Sequence, residues 1–469
     1  MALFDLDPVK RNQITHYTTG ILENFYHQAR ARDVSPDLDI HEVRAYISDF
    51  LASEETDHKK IIDHVFGGLE KHAVQVTHPS YFGLFNPRPS FPSILSDLIT
   101  ATTNPQMAAW THNPYAFAVE EYLISELGKR FGYSRPDGTF CSGGAEANQT
   151  AVLCALNFHF PEYLMSGLHG LDKQPVLYCS AETHHSIAKA ARMCGLGINS
   201  VKHVAINSRL QMDVADLKRK INEDKAIGLQ PFLVVATAGT TGPGSIDPLK
   251  EIGEVASENN LWYHVDGAFG GALALHSTKK AILNGIELSD SITIDIHKWL
   301  AAPMGTGTFL TKHSSILGST FRITADYMPK EGNDFDVEDP YTHSIQWSRR
   351  SLGMRMYLPL LFFGWSGFEQ TIEHHMTMGN LLANILVSKG WKIMNHSDLP
   401  IICFKGKDDS DNTVRAICDY VVKSKQAWIS VYPINGELCL RACITNYATT
   451  YEDVRGLVHL LENARQSLN

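Results

Sequence analysis

The chain has 469 residues, 44% of them hydrophobic and 20% charged, and a formal net charge of -10 at pH 7. These values are typical of an ordered soluble protein with a large core, and the length favours two domains over one. Because no basic excess is present to neutralise phosphates, nucleic acid is not expected as a partner. No apolar run is long enough to span a bilayer and no signal-peptide profile is evident, so no membrane association is expected. The eight cysteines lack CxxC spacing, which favours reduced thiols in a cytoplasmic protein and no metal site.

The first part of the chain is predicted to be helical. Residues 37–51 and 57–72 repeat apolar side chains three and four positions apart, with Gly67 and Gly68 as candidate helix breaks. Such an extension has no core of its own. It must therefore pack against the main domain or against a second subunit.

From about Gly138 to Leu310, apolar strands alternate with amphipathic helices. The strands are read in the segments PVLYCS, PFLVVATAG, LWYHVDGAF and SITIDIHKW. This alternation predicts an α/β fold with a mainly parallel sheet covered by helices on both faces. Sheets of this kind bind ligands at the carboxyl ends of their strands.

Two of the predicted strand ends carry features that suit a planar, phosphorylated ligand. The segment FCSGGAEANQTA opens a helix on a glycine pair, which suits a phosphate, although simple helix capping also explains it. His184 and His185 follow the strand PVLYC. One imidazole there can stack on an aromatic ring, and the pair can be half of a metal site, but capping and loop filling explain His185 and Ser186 better.

The next two strand ends carry a carboxylate and an amine. Asp266 ends the strand LWYHVD, and Lys298 follows the strand SITIDI. On their own, a snorkelling lysine or a structural ion pair accounts for these residues as well as a site does. Together with the glycine pair and His184, however, they meet the requirements for pyridoxal 5'-phosphate: an anion seat, a ring partner, a carboxylate for the pyridine nitrogen and a Schiff-base lysine.

Five segments resemble those of one enzyme family: SGGAEAN, AGTTGPGSIDP, HVDGAFGG, DIHKWL and SIQWSRRS. On these segments the chain is identified as a member of the pyridoxal-phosphate-dependent group II amino acid decarboxylases, which act on aromatic amino acids, histidine, glutamate or cysteine sulfinate. The resemblance implies fold type I, with a large domain built on a mainly parallel seven-stranded sheet, a small C-terminal α+β domain and an N-terminal helical extension. We place these parts at residues 79–355, 356–469 and 1–78, and the hairpin WISVYPI–NG–ELCLRACITN supports the α+β assignment.

The resemblance also assigns roles to individual residues. It implies Lys298 as the Schiff-base lysine, Asp266 at the pyridine nitrogen, and His184 on the ring face opposite Ala268. The remaining cofactor contacts that it implies are Gly144, Ala145, His297 and Thr241, with Asp247 closing the turn after Thr241. Arg441 is the candidate for the substrate carboxylate. A loop tyrosine is expected to assist protonation after CO2 is lost, with Tyr341 as the first choice and Tyr327 as the second.

The substrate is expected to be an aromatic or other neutral L-amino acid. Its pocket wall is predicted to include Tyr81, Phe82, Phe85 and Trp110. Ala108 stands where aromatic amino acid decarboxylases tend to have a bulky ring, and Arg88 offers a partner for an acidic side chain, so glutamate, aspartate and cysteine sulfinate stay open. Rival functions are an aminotransferase, an aldehyde synthase and a non-catalytic homologue. The resemblance further implies a homodimer with active sites at the interface.

Overall fold

The computed structural model describes residues 4–85, 87–323 and 337–468. The chain opens with three helices, each capped by the side chain of an aspartate that precedes it: α1 (Pro8–His27), α2 (Ile40–Ala52) and α3 (His58–Lys71). None of the three contains a buried residue. The predicted helical extension without its own core is therefore confirmed.

Two further helices, α4 (Phe91–Thr103) and α5 (Pro114–Arg130), lead into a seven-stranded sheet. Its strands are β1 (Asp137–Cys141), β2 (Pro175–Ser180), β3 (Val201–Val204), β4 (Gln230–Thr237), β5 (Trp262–Asp266), β6 (Ser291–Asp295) and β7 (Gly307–Thr311). They lie in the order β1-β7-β6-β5-β4-β2-β3, and only β7 runs antiparallel to its neighbours β1 and β6. The predicted mainly parallel sheet of seven strands is confirmed.

Helices cover both faces of this sheet. They are α6 (Gly144–His159), the short α7 (Tyr163–Ser166), α8 (Ser186–Met193), α9 (Val214–Ala226), α10 (Leu249–Glu258) and α11 (Ile316–Phe321). Alternate residues of β4 pack into different cores, Val234 and Ala236 into one and Leu233 and Val235 into the other. This explains why the strand reads as a continuous apolar run in the sequence.

A long helix, α12 (Met354–Ser388), joins the large sheet to a smaller one, and its backbone breaks at Gly364 (φ 63°). The smaller sheet contains β8 (Trp391–Ile393), β9 (Ile401–Gly406), β10 (Ser430–Ile434) and β11 (Glu437–Cys443), in the antiparallel order β10-β11-β9-β8. Helices α13 (Asp411–Lys423) and α14 (Tyr451–Leu468) pack on it. Positive φ angles at Asn435 and Gly436 form the predicted hairpin turn. The exact boundaries at residues 78 and 355 stay a prediction.

Within these described ranges, no helix is long and apolar enough to cross a membrane.

Candidate active site

A cavity of about 240 Å³ lies at the carboxyl ends of the central parallel strands. It is lined by nine of the residues singled out from the sequence: Phe85, Gly144, Ala145, His184, Thr241, Asp266, Ala268, His297 and Lys298. Phe85 comes from the segment before α4, and the other eight come from the start of α6, the end of β5 and the segments that follow β2, β4, β5 and β6. The topology thus brings together side chains that are up to 213 positions apart, from Phe85 to Lys298.

The amino end of α6 forms one wall of the cavity. A Cβ atom on Gly143 would lie 3.2 Å from the His297 ring, and one on Gly144 would lie 3.1 Å from the Asp295 carboxylate. Gly143 also has a φ of 147°, which favours glycine. The glycine pair therefore leaves backbone N–H groups accessible at a helix N-terminus, an arrangement suited to a phosphate.

Lys298 points into the cavity and contacts a carboxylate that the sequence analysis did not single out. Its Nζ lies 3.0 Å from Asp295 Oδ2 and 5.4 Å from the centre of the Phe85 ring. Asp295 is buried, and its Oδ1 atom has no hydrogen-bond partner among the described residues. The ion pair of Lys298 is thus with Asp295 rather than with Asp266.

Asp266 is held by neutral donors at the end of β5. Asn148 Nδ2 donates to its Oδ2 at 2.8 Å, and the Ala268 N–H donates to its Oδ1 at 3.1 Å. The side chain is only 4% exposed and faces the cavity. These hydrogen bonds hold the carboxylate in one orientation at the cavity, and neither donor carries a charge.

The two histidines of the cavity are both fixed by backbone groups. The Ser186 N–H donates to His184 Nδ1 at 3.2 Å, and Thr306 contacts His297 Nδ1 through its N–H and carbonyl. Burial lowers the pKa of His184 and of His297. His185 is exposed and precedes α8. Across the described ranges, no cluster of three or more His, Cys, Asp or Glu side chains is placed to hold a metal ion.

Asp247 lies outside the cavity and closes the turn after β4. Its carboxylate accepts hydrogen bonds from the N–H groups of Met212 (2.7 Å) and Thr237 (2.8 Å). Burial raises the pKa of Asp247 to about 6. The residue therefore fixes the segment that carries Thr241 rather than contacting a ligand in the cavity.

Arg441 lies beside the cavity on β11 of the smaller sheet. Its guanidinium donates through Nε to the Gly242 carbonyl and through Nη1 to the Gly83 carbonyl, both at 3.0 Å. The guanidinium lies 5.2 Å from the centre of the Phe85 ring, and Lys298 Nζ lies 5.4 Å from the same centre. The buried Nη2 atom has no hydrogen-bond partner within the described part of the chain, so it can bind an added acceptor.

Besides Arg441, four predicted site residues do not line the cavity. Phe82 is fully buried in the core of the smaller sheet, and Tyr81 packs near Trp428 while its hydroxyl accepts a hydrogen bond from the Leu84 N–H. The Trp110 N–H donates to Asp339 Oδ1 at 2.7 Å. Of the predicted substrate wall, Phe85 therefore lines the cavity of the single chain and these three residues do not, so their contact with substrate stays a prediction.

Tyr341, the fourth, is buried in a turn at Pro340–Thr342, and its ring lies 4.6 Å from the Trp347 ring. Its N–H donates to the carbonyl of Ala108, the buried residue noted in the predicted pocket. Tyr341 does not line the cavity of the single chain, and its role in protonation stays a prediction. Tyr327, the second choice, lies outside the described residues.

Arg88 also contacts another part of the chain, because its guanidinium lies 4.1 Å from the centre of the Tyr26 ring on α1.

Sequence reasoning missed several polar residues that line or support the cavity: Asn148, Ser186, Thr293 and Asp295. The alternation of polar and apolar residues along SITID could have indicated two of them, Thr293 and Asp295. Nothing in the local sequence marks Asn148, since its partners come from other strands.

The family model described as pyridoxal-dependent decarboxylase conserved domain matches residues 42–407. An aromatic-L-amino-acid decarboxylase of Bacillus atrophaeus is 26% identical over 460 residues, 96% of this chain and 94% of that protein. An acidic amino acid decarboxylase of Mus musculus is 31% identical over 335 residues, 71% of this chain and 61% of that protein. The crystal structure of mouse CSAD superposes with a TM-score of 0.91 at 25% identity, covering 98% of this chain and 99% of that one. The structural similarity therefore extends over nearly the whole chain.

Proposed function

Because the chain belongs to the pyridoxal-dependent decarboxylase family, a family of carboxy-lyases of fold type I, we propose that it converts an aromatic or other neutral L-amino acid to the amine and CO2. Its cofactor is pyridoxal 5'-phosphate. The observation that carries the proposal is the position of Phe85, whose ring centre lies 5.4 Å from Lys298 Nζ and 5.2 Å from the Arg441 guanidinium. A substrate whose amine replaces that of Lys298 would have an apolar ring for its side chain and a guanidinium for its carboxylate nearby.

The cavity fits the cofactor on its donor chemistry. In our proposal the backbone at Gly144 and Ala145, together with His297, holds the phosphate, and Asp266 holds the pyridine nitrogen. Lys298 binds the aldehyde carbon, while Ala268 and His184 contact the two faces of the ring and Thr241 lies at its edge. When bound, the cofactor supplies an electron sink for the bond that is broken.

Arg441 is proposed to select the bond that breaks. A guanidinium fixed through Nε and Nη1 has one nitrogen left to hold the substrate carboxylate in a single orientation. By fixing the carboxylate, Arg441 would direct the electron sink to the bond to CO2 rather than to the bond to the α-hydrogen. Because the guanidinium is held in place by two backbone carbonyls, its position also restricts which amino acids can bind.

A neutral substrate is favoured by the charges around the cavity. Among its described lining residues, Lys298 is the only lysine or arginine, and burial lowers the pKa of both lining histidines. A second anionic group on the substrate would then face Asp266 and Asp295 without a dedicated cation. Arg88, the candidate partner for an acidic side chain, already stacks on Tyr26.

Acidic amino acids are the second candidate, because the mouse relative that is 31% identical is an acidic amino acid decarboxylase. A decarboxylation screen with glutamate, aspartate, cysteine sulfinate and the aromatic amino acids distinguishes the two. CO2, amine, aldehyde and peroxide should be measured together, with Lys298→Ala as the inactive control. CO2 and amine from an aromatic or neutral substrate support the proposal, whereas aldehyde with peroxide and no amine would identify an aldehyde synthase.

We also propose that the enzyme is a homodimer, on the basis of apolar side chains that the single chain leaves in water. They are clustered on α1 to α4 and on the first part of α12: Val9, Leu22, Ile40, Ile47, Leu51, Val65, Leu69, Phe91, Leu98, Ile99, Leu361, Phe362 and Phe363, each between 39% and 72% exposed. Large apolar side chains that are exposed together on neighbouring helices are typical of a protein–protein interface. Sedimentation at micromolar concentration should give a dimer, and Phe362→Asp with Phe363→Asp should dissociate it. A fully active monomer would refute this proposal.

The eight cysteines are all unpaired, and seven of them are buried. Reduced thiols of this kind support a cytoplasmic location.

A further inference from the structure

Asn148 lies at the centre of a buried hydrogen-bond network beneath the cavity. It is 1% exposed, on the second turn of α6, and all four of its hydrogen-bonding positions are used. Its Nδ2 donates to Asp266 Oδ2 and to Ser186 Oγ, both at 2.8 Å. Its Oδ1 accepts from Thr293 Oγ1 at 2.9 Å and from His264 Nε2 at 3.0 Å.

The direction of each hydrogen bond follows from its partners. A carboxylate only accepts, so the amide nitrogen of Asn148 must face Asp266, and the amide oxygen must then face His264. His264 Nε2 therefore carries a proton. Burial lowers the pKa of His264 to about 4, so its Nδ1 accepts from Ser291 Oγ at 2.8 Å. The Ser291 oxygen in turn accepts from the Trp262 indole N–H at 2.8 Å.

A second branch of the network reaches His184. Because the Ser186 backbone N–H donates to His184 Nδ1 at 3.2 Å, that nitrogen is an acceptor. Ser186 Oγ, which accepts from Asn148, can direct its own proton to the same nitrogen at 2.9 Å. The proton of the neutral imidazole then resides on Nε2.

We infer that Asn148 is a positioning residue that fixes Asp266 as an oriented hydrogen-bond acceptor and His184 in its Nε2–H form. The inference rests on the proposed function, in which Asp266 and His184 contact the cofactor. Asn148 itself has no hydrogen-bonding capacity left for a ligand. Its effect on the cofactor is therefore transmitted through the two side chains that it holds.

The substitution Asn148→Asp tests this role because it keeps the shape but replaces the donor facing Asp266 with a second oxygen. Two carboxylates in hydrogen-bond contact cannot both ionise without repulsion, and they share a proton when the pH is low enough. The introduced carboxyl group would again donate to Asp266 when it is protonated, whereas it would repel Asp266 when it is ionised. Asn148→Leu, of similar size, has no donor at any pH. The other titratable groups that face this cluster are His264 on β5, His184 before α8, and Asp295 and Lys298 at the end of β6.

The measurement is the affinity of the cofactor-free full-length protein for pyridoxal 5'-phosphate, followed by absorbance from pH 5.5 to pH 8. We expect both Asn148 variants to bind at least ten-fold more weakly than wild type at pH 8. When the pH is lowered to 5.5, the affinity of Asn148→Asp should come within about three-fold of the wild-type affinity. The affinity of Asn148→Leu relative to wild type should not change. The matched control is Asn157→Asp on the same helix, because Asn157 is also buried but donates to Ser319 and Thr320 away from the cavity.

If both Asn148 variants lose the same cofactor affinity at every pH, Asn148 has only a packing role and the inference is overturned. The inference is also overturned if Asn148→Asp binds the cofactor as tightly as Asn157→Asp does. Thermal unfolding of each variant identifies any that do not fold, and Ser186→Ala then tests the His184 branch alone, with a smaller affinity loss expected and none if the inference is wrong. Borohydride reduction of the wild-type complex followed by peptide mapping is the separate check of the proposed function. If the cofactor is not trapped on Lys298, that assignment fails regardless of how Asn148 behaves.

Discussion

Replacing Arg441 with methionine is expected to weaken the use of the amino acid substrate while leaving the binding of the amine product nearly unchanged. The buried guanidinium is fixed by the carbonyls of Gly242 and Gly83, and only Nη2 is left for the substrate carboxylate. Methionine retains the length of the side chain but provides neither the charge nor the donors. The amine product carries no carboxylate, so it has no group for this nitrogen to bind.

The magnitude follows from the burial of the pair. Removing one partner of a buried, hydrogen-bonded charge pair costs about 2 to 5 kcal/mol. At about 1.4 kcal/mol per factor of ten, kcat/KM should fall by roughly 30-fold to several thousand-fold. Arg441→Lys should recover only part of this loss, because an ammonium group cannot reproduce the fixed fork.

The assay compares kcat/KM for the preferred amino acid with the inhibition constant of its amine in wild type, Arg441→Met and Arg441→Lys. Absorbance of the bound cofactor and thermal unfolding serve as controls for loading and folding. An equal loss for amino acid and amine would mean that Arg441 shapes the pocket rather than binding the carboxylate. An unchanged kcat/KM would remove Arg441 from the site altogether.

Two further predictions concern protonation. Tyr341→Phe, at the first-choice tyrosine, should lower amine formation by roughly 10²- to 10⁴-fold in the decarboxylation assay, whereas Tyr327→Phe should change it less than about two-fold; the reverse order would make Tyr327 the proton donor. The second prediction concerns stability: burial lowers the pKa of His375 to about 3, so the unfolded chain takes up a proton below pH 6.5 that the folded chain does not. The free energy of unfolding of wild type should therefore fall by about 2 kcal/mol more than that of His375→Gln between pH 7 and pH 5, as measured by urea denaturation, and equal losses would show that His375 does not stay neutral in the fold.

Much of the fold could be predicted because strand, turn and helix patterns are local. The apolar strands of the large sheet, the Asn435–Gly436 turn and the helical extension each depend on neighbouring residues in the sequence. The glycine pair, Asp266 and Lys298 were also found because each stands at the end of a predicted strand or the start of a helix. The structure brings these separate positions to one cavity.

Side-chain contacts across the fold could not be predicted in this way. Phe82 and Phe85 are three positions apart in one aromatic segment, yet Phe82 enters the core of the smaller sheet and Phe85 lines the cavity. Their sequence contexts do not differ in hydrophobicity, and only the path of the backbone between the two sheets separates them. Tyr341 was chosen because the resemblance implies a loop tyrosine a few residues before SIQWSRRS, and the sequence did not indicate that its ring packs against a tryptophan six positions later.

Strand β6 shows why a buried strand leads to a lysine at this site. Its isoleucines at 292 and 294, and Ile296 directly after it, all pack into one hydrophobic core. The alternate positions carry Ser291, Thr293 and Asp295, each buried and each hydrogen-bonded or ion-paired to a different part of the site. Ser291 contacts His264, Thr293 contacts Asn148, and Asp295 contacts Lys298, so the polar face of one strand runs from the interior of the sheet to the cavity. Because buried polar groups are tolerated only when they are paired, this face is stable only in a fold that places α6 and β5 beside it. The same pairing that satisfies the strand therefore determines where Lys298 and Asp266 stand relative to each other.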